Sequence, residues 1–126
     1  MTRPVAKGWA TVDLARAAGE MRGSVADGAS FEDVARSEVL GATCRRAPGI
    51  DVDWIVLLEP DTEGRLAGFL ARHGEGWAAT WERSVHGFAV SGGRAAGGPF
   101  GPEVLAPDQS IGGPYVLLVT AATIDT

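Results

Sequence analysis

A chain of 126 residues that is 45% hydrophobic and 21% charged is sized for one globular domain with a real core, and its composition excludes a disordered chain. A formal net charge of −5 argues against nucleic acid and anionic membrane as partners, because both need a basic face to displace counterions. No apolar run approaches the roughly 18–20 residues of a membrane span, and MTRPVAKGWATVDLARAAG has no apolar core of signal-peptide type. With Cys44 as the sole cysteine, no internal disulfide can form, and a cytoplasmic location is expected.

Lys7–Val12 is a short apolar stretch that runs into Asp13, a good helix N-cap. Leu14, Ala17, Ala18 and Met21 then fall on one helical face, and Gly23 is a stop signal. Strand-like pieces follow around Val34 and over Val39–Arg45, and Pro48-Gly49 marks a turn. Val52–Leu58 is a strand by its β-branched and aromatic content, closed by Pro60. Asp61 or Thr62 is the expected cap of a helix whose Leu66, Phe69 and Leu70 share a face and which Gly74 ends.

The second half begins as the first did, which suggests a duplicated module or a chance likeness between short apolar strands. Gly8-Trp9-Ala10-Thr11 is echoed by Gly76-Trp77-Ala78-Ala79-Thr80, and Trp54–Leu58 by Tyr115–Val119. Ser91–Gly101, SGGRAAGGPFG, is too rich in glycine for a stable helix, so a crossover helix there is expected to be short or irregular.

Three stretches carry a family resemblance: ATVDLARAAGEM, IVLLEP…GRLAGFLARHGEG and GPEVLAPDQSIGGPYVLLV. The run LLEPDTEGRLAGFLARHGEG resembles the module junction of the vicinal-oxygen-chelate superfamily, which includes glyoxalase I, methylmalonyl-CoA epimerase and the bleomycin-resistance proteins. The epimerase branch is the nearest in pattern. The resemblance implies an α+β fold of paired βαβββ modules that form a curved mixed sheet around a central cavity. It divides the chain into module one at about 1–60, a linker helix at about 61–75 and module two at about 76–126.

Family members hold a divalent metal with a side chain from the first and last strand of each module. The matching places here are Ala6, Val56, Ala79 and Leu117. None offers a lone pair on N, O or S, so no metal and no cofactor is expected. His73 and His86 read as helix-end and turn residues. Strand alternation puts Trp54 on the face of Val56, Trp77 and Trp81 on that of Ala79, and Tyr115 on that of Leu117. These rings are the expected ligand site, for a sizeable hydrophobic or aromatic small molecule. Tyr115 is the candidate catalytic hydrogen-bond donor, and a cavity carboxylate is the proton carrier. Glu38, Glu82 and Glu103 all lie near predicted strands, and the register does not choose between them. Cys44 reads as a buried structural thiol.

Two functions are compatible with this pattern, beside a structural or regulatory module whose cavity has closed. One is a metal-independent isomerase or cyclase acting on a bulky hydrophobic metabolite of bacterial natural-product, polyketide-like chemistry. The other is non-catalytic binding or drug sequestration of the bleomycin-resistance kind. A homodimer is expected in either case, since a curved sheet with a reduced second module leaves edges to cover. A buried ionisable group with a perturbed pKa beside the rings would favour the enzyme.

Overall fold

The computed structural model describes residues 4–84, 96–106 and 114–120. In chain order the elements are β1 (Pro4–Ala10), α1 (Leu14–Glu20), β2 (Glu32–Ser37), β3 (Ala42–Pro48), β4 (Trp54–Pro60), α2 (Arg65–His73), β5 (Gly76–Ser84), β6 (Glu103–Leu105) and β7 (Tyr115–Thr120). The strands make one mixed seven-stranded sheet, ordered β2-β3-β4-β1-β5-β7-β6, that curls into a half-barrel. Its α+β class and curvature are those the family resemblance implies.

Two helices follow from local chemistry. α1 starts where the Asp13 carboxylate accepts from Arg16 N at 3.1 Å. Its Leu14 and Ala17, with Met21 just beyond, pack on Ile55 and Leu57 of β4 and so cover the outer face of the sheet. α2 begins at Arg65 after Gly64, without the expected side-chain cap. Asp61 is diverted into a pair with Arg36, and Leu66 N finds an acceptor in Leu40 O at 3.0 Å instead. Gly64 sits at φ 127°, a backbone state that favours glycine, and this lets the chain turn tightly against Leu40. Leu66 and Phe69 point into the main core, and Gly74 ends the helix.

β1 runs parallel to β4, β5 runs parallel to β7, and β1 and β5 are antiparallel to each other. Lys7 pairs with Thr80, flanked by the pairs Ala6–Trp81 and Gly8–Ala79. A half-turn about the Lys7–Thr80 pair therefore exchanges Ala6 with Ala79 and Gly8 with Trp81. The same operation carries Ala6–Trp54 onto Ala79–Tyr115, and Gly8–Val56 onto Trp81–Leu117. The strand echo between Trp54–Leu58 and Tyr115–Val119 follows this pseudo-twofold. The Gly-Trp-Ala echo does not. Trp9 corresponds to Glu82, and Trp9 and Trp77 meet instead as cross-strand neighbours.

The sheet separates two cores. The outer one lies beneath α1. The larger inner one gathers Ala6, Ala10, Cys44, Val56, Leu58, Ala79, Trp81, Tyr115 and Leu117 with Leu66 and Phe69 of α2.

Candidate functional site

The four positions that hold metal in the resembling family converge as the symmetry requires. Ala6, Val56, Ala79 and Leu117 are all buried on the inner face, and the pseudo-twofold exchanges them in pairs. Their side chains contain only carbon and hydrogen, so they do not fit a metal ion. Among the described residues no other group of His, Cys, Asp or Glu has the makings of a metal site.

The hollow of the half-barrel is filled largely by the protein's own rings. Trp81 is fully buried and lies across Gly8: a Cβ built on Gly8 would stand 2.7 Å from Trp81 Cζ3 and 2.8 Å from Leu58 Cδ1. The absence of a side chain at Gly8 is thus what admits the indole. Phe100 closes over it, with its centroid 5.8 Å from Trp81 and 6.2 Å from Trp54. The described part of the glycine-rich stretch, from Ala96 onward, is therefore a strap that folds back over the inner face. Backbone pairing between Ala96 and Glu103 and the turn bond from Gly101 N to Gly98 O at 3.0 Å hold it there. The stretch from 85 to 95, and with it His86, lies outside the described residues.

Glu103 of β6 is the one fully buried carboxylate among the described residues. Trp81 Nε1 donates to its Oε1 at 2.8 Å, and Ser37 Oγ donates to its Oε2 at 2.7 Å. Burial pushes its carboxyl up to about 7, against the opposing pull of those two hydrogen bonds. Gly98 packs so closely over the carboxylate that any Cβ there would overlap it. Of the three carboxylates the register left open, this one enters the inner face, whereas Glu38 is exposed and pairs with Arg36. Cys44 is also buried, and desolvation raises its thiol to about 12, so it has no nucleophilic thiolate at neutral pH.

The predicted ring set is split by the structure. Trp54 and Trp81 are together on the inner face with Phe100, a residue that the pattern of alternation did not single out. Trp77 is on the other side of the sheet. Between the pairs Gly8–Ala79 and Trp9–Trp77, β5 carries one extra residue, Ala78, and this bulge reverses the alternation. Trp77 consequently meets Trp9 edge-on at 5.1 Å, stacks under Lys7 Nζ at 4.4 Å and is 39% exposed. Tyr115 is on the inner face but at the α2 end, where its hydroxyl donates to Arg65 O at 3.1 Å and anchors the helix.

Arg46 is an inward-facing cation beside the rings. It faces Val56 across the β3–β4 pair, its guanidinium lies 4.5 Å from the Trp54 ring centroid and 5.1 Å from that of Phe100, and Nη1 donates to Pro99 O at 2.9 Å. An open groove of about 460 Å³ runs along it, between Val34 and Ala35 of β2 and the strap residues Pro99, Phe100 and Pro102.

A curled mixed sheet with a pseudo-twofold at its centre and four symmetry-related positions on its inner face defines the vicinal-oxygen-chelate fold. Solved structures similar to it over all or most of the chain include methylmalonyl-CoA epimerases. One is a variant of the Streptomyces coelicolor enzyme in complex with 2-nitronate-propionyl-CoA, with a TM-score of 0.73 and 20% identity over 100% of this chain and 99% of that one. Another is the Mycobacterium tuberculosis enzyme, at 0.72 and 20%, covering 93% of this chain and 86% of that one. A hypothetical protein of Bacillus halodurans is similar at 0.65 and 16%, over 93% and 92% of the two chains. No family model matches the chain, and no curated protein matches it in sequence. At these identities the likeness establishes the fold.

Proposed function

We propose that the protein is a metal-independent isomerase in which Glu103 carries the proton, acting on a small molecule with a large apolar or aromatic body. The observation that carries this reading is the pairing of Glu103 with Trp81 and Ser37. A carboxyl poised near neutral pH serves as base when ionised and as acid once protonated. The indole N–H and the serine O–H remain as fixed donors to the ionised form. Transfer to Glu103 of a proton α to a carbonyl leaves a planar enolate, and return of the proton after that enolate has turned its other face to Glu103 inverts the carbon with no net change in atoms or electrons.

The epimerases that share the fold support an isomerisation rather than a group transfer. The apolar set Ala6, Val56, Ala79 and Leu117 separates this chain from any route through a metal. Access to Glu103 requires the strap to swing aside. Among the described residues it is held by Glu38 N to Gly97 O at 2.9 Å, the Ala96–Glu103 pair, the Arg46 bond to Pro99 and the packing of Phe100 on Trp54 and Trp81. Natural-product metabolism suits a site walled by Trp54, Trp81 and Phe100.

The test is α-proton exchange in deuterium oxide with an aryl-substituted acyl thioester, 2-phenylpropionyl-N-acetylcysteamine. Wild type should incorporate deuterium with or without a chelator, and Glu103→Gln should slow exchange by at least about a hundredfold. Exchange that survives in Glu103→Gln, or stops on chelation, overturns the proposal. A second reading is sequestration of the same class of molecule, favoured by the rings Trp54 and Phe100 around Arg46 at the groove. It predicts binding without exchange.

A further inference from the structure

We infer that Arg46 is the docking point for a carboxylate on the ligand, so that the substrate or cargo is an amphipathic aromatic acid; this deepens the reading above and rests on it only for the site's location. The chain carries a net charge of −5, and Arg16 is matched to Glu20 and Glu75, Arg36 to Glu38 and Asp61, and Arg45 to Asp33, whereas Arg65, like Arg46, donates to a neutral carbonyl, Val39 O. Arg46 has no acidic partner among the described residues. Of its five N–H donors, one group is engaged, by a neutral carbonyl, Pro99 O.

The position of that charge also matters. Arg46 is half-buried and inward-facing, directly opposite Val56 in the sheet register. The inner face thus keeps a fixed positive charge one strand away from a place where the resembling family puts a metal ligand. Trp54 and Phe100 stack against the guanidinium and fix its plane, which leaves its edge for a bidentate partner. The open groove along Arg46 is lined by Val34, Pro99, Phe100 and Pro102 and holds no acid. A ring can lie along that apolar wall while its carboxylate meets the guanidinium. On the opposite side of Arg46, Glu32 is its register partner on β2 but makes no ion pair with it. That side repels an anion, so the carboxylate approaches from the strap.

The probes are naphthalene-2-carboxylate and its neutral isostere naphthalene-2-carboxamide, titrated by calorimetry and tryptophan fluorescence. Wild type should bind the carboxylate at least about tenfold more tightly, the scale of one charge-assisted bidentate contact. Arg46→Met should bring the two probes within about twofold of each other while leaving carboxamide binding in place, and Arg46→Lys should fall between. Glu32→Gln, at an exposed position, should tighten the carboxylate alone. Equal affinity in wild type, an undiminished preference in Arg46→Met, or binding of neither probe at millimolar concentration overturns the assignment. Displacement of the carboxylate by millimolar inorganic phosphate also overturns it, in favour of a bare-anion site. Glu103→Gln should retain the carboxylate preference. Loss of exchange in that variant bears only on proton transfer, so the two readings fail separately.

Discussion

Glu103 should make the folded protein lose stability as the pH rises towards neutrality, the reverse of the usual carboxylate behaviour. Its carboxyl is raised from 4.5 to about 7 by burial. Between those values the folded state holds a proton that the unfolded state has released. Unfolding free energy therefore falls with rising pH through that window and levels off above about 7. The gap corresponds to about 3 kcal/mol. The stabilising contribution is complete below about pH 4.5 and gone above neutrality. The paired acids act elsewhere: Glu75 is lowered to about 2, first by its hydrogen bond from Arg16, so its contribution is lost only as the solution becomes strongly acidic. Urea unfolding of wild type and Glu103→Gln from pH 4.5 to 8 isolates the effect. Glutamine keeps the shape, can accept from Trp81, and can donate to Ser37, whose oxygen already accepts from Leu40 N at 3.2 Å. Wild type should lose about 3 kcal/mol across the range, and the variant should be flat. Parallel profiles for the two proteins would refute the claim that Glu103 is buried and protonated at mildly acidic pH.

Trp81→Ala should destabilise the fold by about 3–5 kcal/mol in urea unfolding, because the ring fills the half-barrel and its N–H serves a buried carboxylate; a loss below about 1 kcal/mol would mean that the ring lines open space. Trp77→Ala should leave ligand affinity unchanged in fluorescence titration, since the ring is on the outer face with Trp9 and Lys7. Tyr115→Phe should lower stability by about 1 kcal/mol, the worth of its bond to Arg65 O, without slowing exchange; a turnover defect at unchanged affinity would restore Tyr115 to a catalytic part.

What the sequence disclosed was the part governed by local periodicity. The β-branched run of β4, the Asp13 cap of α1 and the apolar stripe of α2 each rest on contacts a few residues apart. The inner-face positions Val56, Ala79 and Leu117 were legible because each lies close to a run that carries the family resemblance, LLEP, GEG and GGPY. Trp77 was misplaced because nothing in GWAAT marks the bulge at Ala78, which is set by pairing with β1, distant in sequence. Phe100 and Glu103 were harder still. β6 is three residues long, too short for a pattern, and the strap owes its path to long-range bonds with Glu38, Arg46 and Trp81. Faint signals were present: Phe100 is the one large apolar residue in its glycine-rich stretch, and Glu103 adjoins Val104-Leu105.

Gly8 and Trp81 occupy equivalent places in the two halves of the sheet, one empty and one carrying the largest side chain available. Two identical halves could not have held this arrangement, because a pair of indoles would collide at the axis. The two positions are therefore locked together: the ring at position 81 needs the empty space at position 8, and with the ring in place position 8 cannot accept even a methyl group. Gly8→Ala should accordingly be severe alone and mild in the background of Trp81→Leu, a non-additive pair that unfolding of the two single variants and the double variant would reveal.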